Sequence, residues 1–185
     1  MEISKAGIVE LASYECLCLT PYLDSGGVKT AGIGSTKSDI KDLSMWSWSK
    51  ELTIKEAVDL YTNSLKKYVA AVNRGLTKLS LEQNKFDTLV SLCYNIGEAG
   101  FLGSTALKYV NTGRSDKDVV KAIKKWNMDN GKVVQGLINR RQKECDLYEN
   151  GIYASGGMVD LVPVHPVTHK PIYKDGRKIK LLDYL

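Results

Sequence analysis

The segment from Tyr14 to Thr36, YECLCLTPYLDSGGVKTAGIGST, constrains the fold of this chain more than any other part. Its run Asp24-Ser25-Gly26-Gly27 is a strong turn signal, because glycine adopts positive φ without steric cost. Short pieces of extended character lie on either side of the turn, so the segment predicts a small antiparallel β-hairpin. We expect this hairpin to bring the carboxyl groups of Glu15 and Asp24 together.

The spacing Glu15-x8-Asp24-x5-Thr30 points to a particular chemistry. Two neighbouring carboxyl groups suit acid–base cleavage of a glycosidic bond, in which one protonates the leaving oxygen and the other activates a water. Taken alone, the spacing also fits two ordinary surface charges. The assignment therefore depends on signals elsewhere in the chain.

Downstream of the hairpin the pattern is helical as far as about residue 150. Thr53-x-x-Glu56 and Ser80-x-x-Gln83 are typical of helix starts. The segment 81–96 is apolar nearly all round in its second half, which predicts a central core helix. Apolar residues recur at helical spacing in six segments, 3–14, 53–75, 81–96, 103–112, 116–127 and 136–149. One hairpin with several helices predicts an α+β fold.

The amino-acid composition changes after Gly156-Gly157. The remaining residues are rich in Pro and Val and indicate extended structure, and Asp175-Gly176 is typical of a hairpin turn. We therefore divide the chain into a domain of residues 1–153 and a C-terminal extension of residues 154–185.

Composition limits the class of protein. The chain has 185 residues, of which 43% are hydrophobic and 25% charged, enough for one domain with an appendage. No apolar run approaches the length of a membrane helix, and no signal peptide is seen, so we expect synthesis in the cytoplasm without stable membrane insertion. The net charge of +5 fits nucleic acid, an anionic membrane or an anionic wall polymer. Because the lysines are dispersed along the chain, nucleic acid is the least favoured of these three partners.

The four cysteines, Cys16, Cys18, Cys93 and Cys145, are expected to be reduced and buried. A disulfide formed after export and a metal site are the alternatives. His165 and His169 lie in the extended C-terminal segment, where no further ligands converge in sequence, so no metal is expected there.

Four motifs together resemble the phage-type lysozymes of glycoside hydrolase family 24, the endolysins of tailed bacteriophages. They run in family order across residues 3–153. They are Glu15-x8-Asp24-x5-Thr30; the hairpin Tyr22-x-Asp24-x-x-Gly27-x-x-Thr30-x-Gly32-x-Gly34-x-Thr36; Tyr94-Asn95-Ile96-Gly97 followed by Phe101 and Ser104-Thr105; and Gly136-Leu137-x-x-Arg140-Arg141-x-x-Glu144.

The resemblance implies a lysozyme-like α+β fold, with a small hairpin lobe, a mainly helical lobe and the active-site cleft between them. It implies an N-acetylmuramidase that hydrolyses the β-1,4 bond between N-acetylmuramic acid and N-acetylglucosamine in bacterial peptidoglycan. Glu15 would be the general acid, Asp24 would activate or position water, and Thr30 would help hold that water. Neither a metal nor a cofactor is implied. The substrate-binding residues implied are Tyr22, Gly34, Asn95, Ser104 and Thr105.

The resemblance also implies a biological setting. The protein would act as a monomer in lysis of the host cell, reaching the wall from the cytoplasm after a separate phage pore-forming protein opens the inner membrane. Separately from the resemblance, the aliphatic content and hairpin signal of residues 157–185 lead us to expect that they pack on the helical lobe or extend the wall-binding surface. Two other functions stay open, a lytic transglycosylase and a wall-binding phage module with a disabled site. The chain departs from the family pattern at Cys16, where glycine is usual, and at Ser35, where many members have histidine.

Several residues have two interpretations on sequence alone. Asn95 either caps the central helix or contacts substrate, and Ser104 either caps a helix or contacts substrate. For Arg140 and Arg141 the default on a helix is solvated charge, whereas the family resemblance implies that one of them is an internal ion-pair or hydrogen-bond anchor. Trp46 and Trp48 either stack on sugar rings or pack within the protein, and packing is favoured.

Overall fold

The computed structural model describes residues 1–24, 26–40, 43–77 and 80–185. These residues form two compact units. The first unit contains Met1–Gly7 and Lys66–Ala154, and the second contains Ile8–Leu65 and Ser155–Leu185. Ser25, part of the predicted turn signal, lies outside the described residues.

The described residues form helices and short antiparallel strand pairs, which confirms the predicted α+β class. The helices are α1 (Lys5–Ala12), α2 (Ile54–Gly75), α3 (Gln83–Leu102), α4 (Thr105–Asn111), α5 (Asp116–Lys124) and α6 (Gln135–Asn150). The strands are β1 (Cys18–Leu23), β2 (Lys29–Gly32), β3 (Met128–Asp129), β4 (Lys132–Val133), β5 (Met158–Leu161) and β6 (Arg177–Lys180). Each predicted helical segment corresponds to one of these helices. Within the described part of the chain, no helix is both long and apolar enough to cross a bilayer.

The two predicted helix starts have different outcomes. At the start of α2, the Glu56 amide donates to Thr53 Oγ1 at 3.1 Å and the Thr53 amide donates to Glu56 Oε2 at 2.6 Å, the predicted reciprocal cap. The predicted start at Ser80 is wrong, since Glu82 is the residue before α3. The Gln83 side chain donates instead to Asp87 Oδ1 at 2.8 Å, so it does not reach back to form a cap.

The first unit is built around α3, which confirms the predicted central core helix. Its apolar core combines Phe86 and Phe101 of α3 with Ile123 of α5, all fully buried. The helical φ/ψ of α3 is interrupted at Gly97 (φ 79°, ψ 159°), which lies at the end of the predicted helix. A conformation with φ of this sign favours glycine. Asp87 on α3 is almost fully buried and accepts hydrogen bonds from several partners.

The second unit contains the predicted hairpin. Strands β1 and β2 pair antiparallel, with Tyr22 opposite Thr30 and Cys18 opposite Gly32, which confirms the hairpin. Directly after β2 the chain turns again, because the backbones of Ala31 and Ser35 hydrogen-bond each other in both directions at 2.8 and 3.1 Å.

The C-terminal residues also belong to the second unit, and they are paired with its N-terminal part. The Leu17 amide donates to the Asp160 carbonyl at 2.9 Å, and the Val162 amide donates to the Leu17 carbonyl at 2.8 Å. Strand β5 pairs antiparallel with β6, and Val159 at its centre is fully buried. A long-range bond also joins Leu23 to this segment, since its amide donates to the His169 carbonyl at 2.7 Å. Residues 155–185 are thus an integral part of this unit.

The predicted hairpin turn at Asp175-Gly176 is wrong. Tyr173–Asp175 is a short 3₁₀ helix, and β6 after it pairs with β5 rather than with the residues just before the turn. Gly176 has φ −69° and ψ 150°, an extended conformation. The two-residue turn that Asp-Gly favours needs positive φ at this position, so the dipeptide signal was overridden.

The packing of β5 generates a stability prediction. We expect Val159→Ala to lower the free energy of unfolding by about 2 kcal/mol, since it removes apolar groups from a fully buried site. Val167→Ala is the matched control in the same segment, because Val167 is 79% exposed, and it should stay within about 0.5 kcal/mol of the parent. Urea unfolding measures both. Equal effects would contradict the integral packing of the C-terminal segment.

Candidate active site

A cavity of about 300 Å³ in the second unit brings together three of the predicted site residues, Glu15, Tyr22 and Asp24. The predicted acid and the predicted water activator therefore share one cavity. The complete lining is Ser13, Tyr14, Glu15, Cys16, Tyr22, Asp24, Asp160 and Tyr173.

Glu15 is positioned by backbone hydrogen bonds on both sides of it. The amide of Glu15 donates to the Ala12 carbonyl at 3.1 Å, which turns the chain as it leaves α1. Two residues later, Leu17 is held by its bonds to Asp160 and Val162. The Glu15 backbone is therefore fixed between a helix end and a paired strand.

Asp24 is held by the hairpin turn that it helps to form. Its Oδ1 accepts hydrogen bonds from the amides of Gly26 at 2.9 Å and Val28 at 2.8 Å. Its amide donates to the Val28 carbonyl at 3.0 Å, and its carbonyl accepts from Gly27 at 3.0 Å. No hydrogen bond to Oδ2 is found among the described residues. One carboxylate oxygen is thus anchored, while the other is available to a water or a ligand.

Thr30 and Gly34 are close in the fold to this cavity's Tyr22 but do not line the cavity themselves. Thr30 lies opposite Tyr22 in the hairpin, and its hydroxyl donates to the Val28 carbonyl at 3.1 Å. The backbone of Gly34 lies near the Tyr22 hydroxyl. Burial raises the pKa of Tyr22, and the nearby Cys16, Cys18 and Glu15 raise it further.

Ser35, the position where many family members have histidine, has a buried side chain with 1% exposure. Its Oγ has no hydrogen-bond partner among the described residues. A hydroxyl in this state costs free energy, so the departure from the family pattern leaves an unsatisfied polar group next to the Gly34 turn.

Besides Ser13 and Tyr14, which adjoin Glu15 in the chain, sequence reasoning missed two cavity residues that are distant in sequence, Asp160 and Tyr173. Both come from the C-terminal segment, and no periodicity or motif signals their position. Asp160 is brought to the cavity by the pairing with Leu17. Tyr173 lines the cavity together with Cys16, and burial together with the adjacent Cys16 raises the pKa of Tyr173 to about 12.

Trp46 and Trp48 are occupied by contacts within the second unit. The ring of Trp48 stacks on His169 at 4.1 Å between centroids, and Lys29 Nζ lies 4.0 Å from the centre of the same ring. The Lys29 ammonium also donates to the Trp46 carbonyl, and burial lowers the pKa of Lys29. These contacts agree with the favoured packing role.

The three remaining predicted site residues lie in the first unit. Asn95 Oδ1 accepts a hydrogen bond from Arg141 Nη2 at 2.9 Å. Ser104 caps α4, because its side chain accepts from the Leu107 amide at 3.1 Å, and Thr105 is the first residue of that helix. Ser104 and Thr105 both line a second cavity, of about 460 Å³.

Arg140 and Arg141 are both internal anchors, whereas the prediction was for one of them. Arg140 Nε lies 3.2 Å from Glu144 Oε1, and Arg141 Nε lies 2.6 Å from Glu144 Oε2. Glu144 is fully buried and also accepts from Ser91 Oγ at 2.7 Å. Burial lowers the pKa of Arg141, while the charge of Glu144 opposes that effect. The bond from Arg141 to Asn95 therefore extends from a buried ion-pair network.

Comparison with known proteins agrees with these features. The family model "Phage lysozyme" matches residues 12–144. This chain belongs to the phage lysozyme family. The matched range includes every predicted site residue of the phage lysozyme pattern, whereas the C-terminal segment that supplies Asp160 and Tyr173 lies beyond it.

Individual phage lysozyme relatives are similar over most of the chain. The endolysin of Bacillus phage PZA is 39% identical over 153 residues, which cover 82% of this chain and 56% of the relative. The chain thus spans about half the length of that protein. The solved endolysin from Escherichia coli O157:H7 phage FAHEc1 is 34% identical, with a TM-score of 0.74 over 83% of this chain and 96% of that one. The muramidase domain of SpmX from Asticaccaulis excentricus is 33% identical, with a TM-score of 0.68 over 80% of this chain and 98% of that domain.

The cap of α4 leads to a prediction about the contribution of Ser104 to stability. We expect Ser104→Ala to lower the free energy of unfolding by about 1 kcal/mol, because the Leu107 amide loses its acceptor. Ser104→Thr keeps a hydroxyl acceptor and should recover most of this loss. Denaturant unfolding of the two variants is the measurement. If Ser104→Ala had the same free energy of unfolding as the parent, the cap would contribute nothing to stability.

Proposed function

We propose that this protein is a glycoside hydrolase, an endolysin of the muramidase type, that cleaves the β-1,4 bond between N-acetylmuramic acid and N-acetylglucosamine in peptidoglycan. The observation that carries the proposal is the single cavity lined by Glu15 and Asp24 in a chain of the phage lysozyme family. The structural similarity to a muramidase domain supports the same bond specificity.

In this proposal Glu15 is the general acid. A glycosidic bond breaks when the departing oxygen receives a proton as the sugar carbon develops positive charge. Glu15 lines the cavity on a backbone fixed between α1 and the paired Leu17. A rigidly held acid meets the leaving oxygen without first paying the entropy of being ordered.

Asp24 is the carboxylate that activates or positions the attacking water. The two turn amides fix its Oδ1 and thereby orient the whole group, which leaves Oδ2 to accept a proton from water. Hydrolysis with inversion needs the two carboxyl groups far enough apart to admit that water. A turn at the end of the hairpin suits this role because it holds Asp24 by local bonds.

Thr30 is proposed to hold the water with Asp24. Its proton is used in the bond to the Val28 carbonyl, so the lone pairs of Oγ1 face any further partner as acceptors. We also propose that Tyr22 and Gly34 of the second unit, and Asn95, Ser104 and Thr105 of the first, contact the glycan. No metal or cofactor enters this chemistry.

The setting of the reaction is part of the proposal. A net charge of +5 favours approach to an anionic wall polymer rather than to a neutral one. We propose that the protein acts as a monomer in host-cell lysis and reaches the wall from the cytoplasm once a phage pore-forming protein has opened the inner membrane. Asp160 and Tyr173 of the C-terminal segment line the cavity, and we propose that completing this cavity is the role of the segment.

Replacement of the acid tests the reaction directly. Glu15→Gln keeps the shape of the side chain but removes its transferable proton. The rate at which purified peptidoglycan is hydrolysed should therefore fall by about 10²-fold or more. Glu149→Gln, an exposed change at the end of α6, is the matched control and should retain parent activity. Mass spectrometry of the parent's products should show reducing muramic ends. Full activity of Glu15→Gln, or anhydro-muramic ends, would overturn the hydrolase mechanism.

A second pair of variants separates the chemical role of Asp24 from its role in the turn. Asp24→Asn keeps an oxygen that accepts from Gly26 and Val28, so we expect a folded protein with activity reduced by about 10²-fold or more. Asp24→Ala removes that acceptor and should cost about 1–2 kcal/mol of stability in addition. Turbidity assays and thermal unfolding report the two effects. If Asn were as active as Asp, the proposed water activation would be wrong.

A further inference from the structure

Two cysteine thiols touch each other beside the proposed acid. Cys16 Sγ and Cys18 Sγ are 3.6 Å apart, on either side of Leu17, and both residues are free cysteines. A disulfide bond is about 2.05 Å long, so the sulfurs need only a short approach to become bonded. The other two cysteines, Cys93 and Cys145, are also free and buried, and neither forms a thiol pair within the part of the chain that the structure describes.

The two thiols of this pair differ in access. Cys16 lines the cavity that contains Glu15 and Asp24. Cys18 is fully buried and does not line the cavity. A small reagent entering the cavity therefore meets Cys16 first, while Cys18 lies behind it within van der Waals contact.

The hydrogen bonds at Cys16 favour its thiolate. The contact from Cys18 lowers the pKa of Cys16 most, and the hydroxyls of Tyr173 and Tyr22 lower it further, against the opposing effects of burial and Glu15. The pKa of Cys18 is raised by the same sulfur contact and by burial. Burial raises the pKa of Cys93 and of Cys145 to about 12. Since the thiolate is the nucleophile, these directions favour attack by Cys16 over attack by the other three thiols.

We propose that Cys16 is a covalent modification site for small neutral disulfides, and that Cys18 is its resolving thiol. The Cys16 thiolate attacks one sulfur of the reagent; the reagent's S–S bond breaks, a mixed disulfide forms, and the first leaving thiolate takes up a proton. Cys18 then gives up its proton and attacks the Cys16 sulfur, which releases the second reagent half as a thiol. In total two protein thiols are oxidised to one disulfide, and one reagent disulfide is reduced to two thiols.

The charge of the cavity decides which reagents fit. Asp24 and Asp160 line it, so an anionic disulfide is repelled and a neutral one is admitted. A group attached to Cys16 occupies the same cavity as Glu15. The mixed disulfide should therefore block peptidoglycan cleavage. This last step rests on the proposed function, whereas the thiol chemistry does not.

The chemical test uses the full chain and 2-hydroxyethyl disulfide, with peptide mapping by mass spectrometry. We expect adducts on Cys16 at least about tenfold faster than on Cys93 and Cys145, which serve as internal controls. The parent should proceed to the Cys16–Cys18 disulfide, whereas Cys18→Ser should stop at the mixed disulfide. Cys16→Ser should form neither product, and circular dichroism verifies that each variant is folded. Equal labelling of the cysteines, or no Cys16 adduct in folded Cys18→Ser, would overturn the proposal.

The activity test separates this proposal from the proposed function. Each protein is compared with its own reduced form, and we expect the Cys18→Ser adduct to lose about 90% of its lytic activity, with recovery in dithiothreitol. The treated Cys16→Ser protein should retain the activity of its untreated form. An adduct that leaves lysis unchanged would overturn the blocking role while leaving the modification site intact. If the reduced parent were inactive, the proposed function would fail, and the mapping result would still decide the thiol chemistry.

Discussion

The backbone of Leu17 is the constraint on which the second unit depends. Its amide and its carbonyl are both hydrogen-bonded to the C-terminal segment, and its side chain is fully buried. Breaking this pairing would leave two polar groups unsatisfied in an apolar interior, at a cost of about 1–3 kcal/mol each. Because Glu15 and Cys16 precede Leu17 directly and Cys18 begins β1, the pairing also sets where the proposed acid and both thiols lie.

Much of the fold could be predicted because the signals for it are local. The hairpin follows from Asp24 and the glycines after it, and the helices follow from apolar periodicity and from caps such as Thr53 with Glu56. One failure occurred where a neighbouring residue competed for a capping side chain, and the other where a distant strand overrode a local turn signal. Gln83 bonds Asp87 in preference to capping toward Ser80, and pairing of β6 with β5 replaces the turn that Asp175-Gly176 favours.

The candidate site was predictable to the same extent. Glu15, Asp24 and Tyr22 were expected together and share one cavity, since all three lie on or beside a short hairpin. Asp160 and Tyr173 could not be foreseen, because a contact between residues so far apart in sequence leaves no trace in spacing. Asp24 serves both the turn and the proposed chemistry, so the motif that identifies the family is also a folding signal. Sequence alone does not show whether the aspartate at position 24 is needed for the turn or for the chemistry.

The order of its segments along the chain determines when the second unit can be completed. Its two segments are separated by the whole of residues 66–154, so pairing them closes a long loop, and such non-local contacts form slowly. During translation the hairpin leaves the ribosome well before its C-terminal partner has been made, since synthesis proceeds at about 5–20 residues per second. Until that partner docks, the cavity lacks the wall formed by Asp160 and Tyr173. The cavity that holds Glu15 and Asp24 is therefore completed only after residues 155–185 have been synthesised and paired.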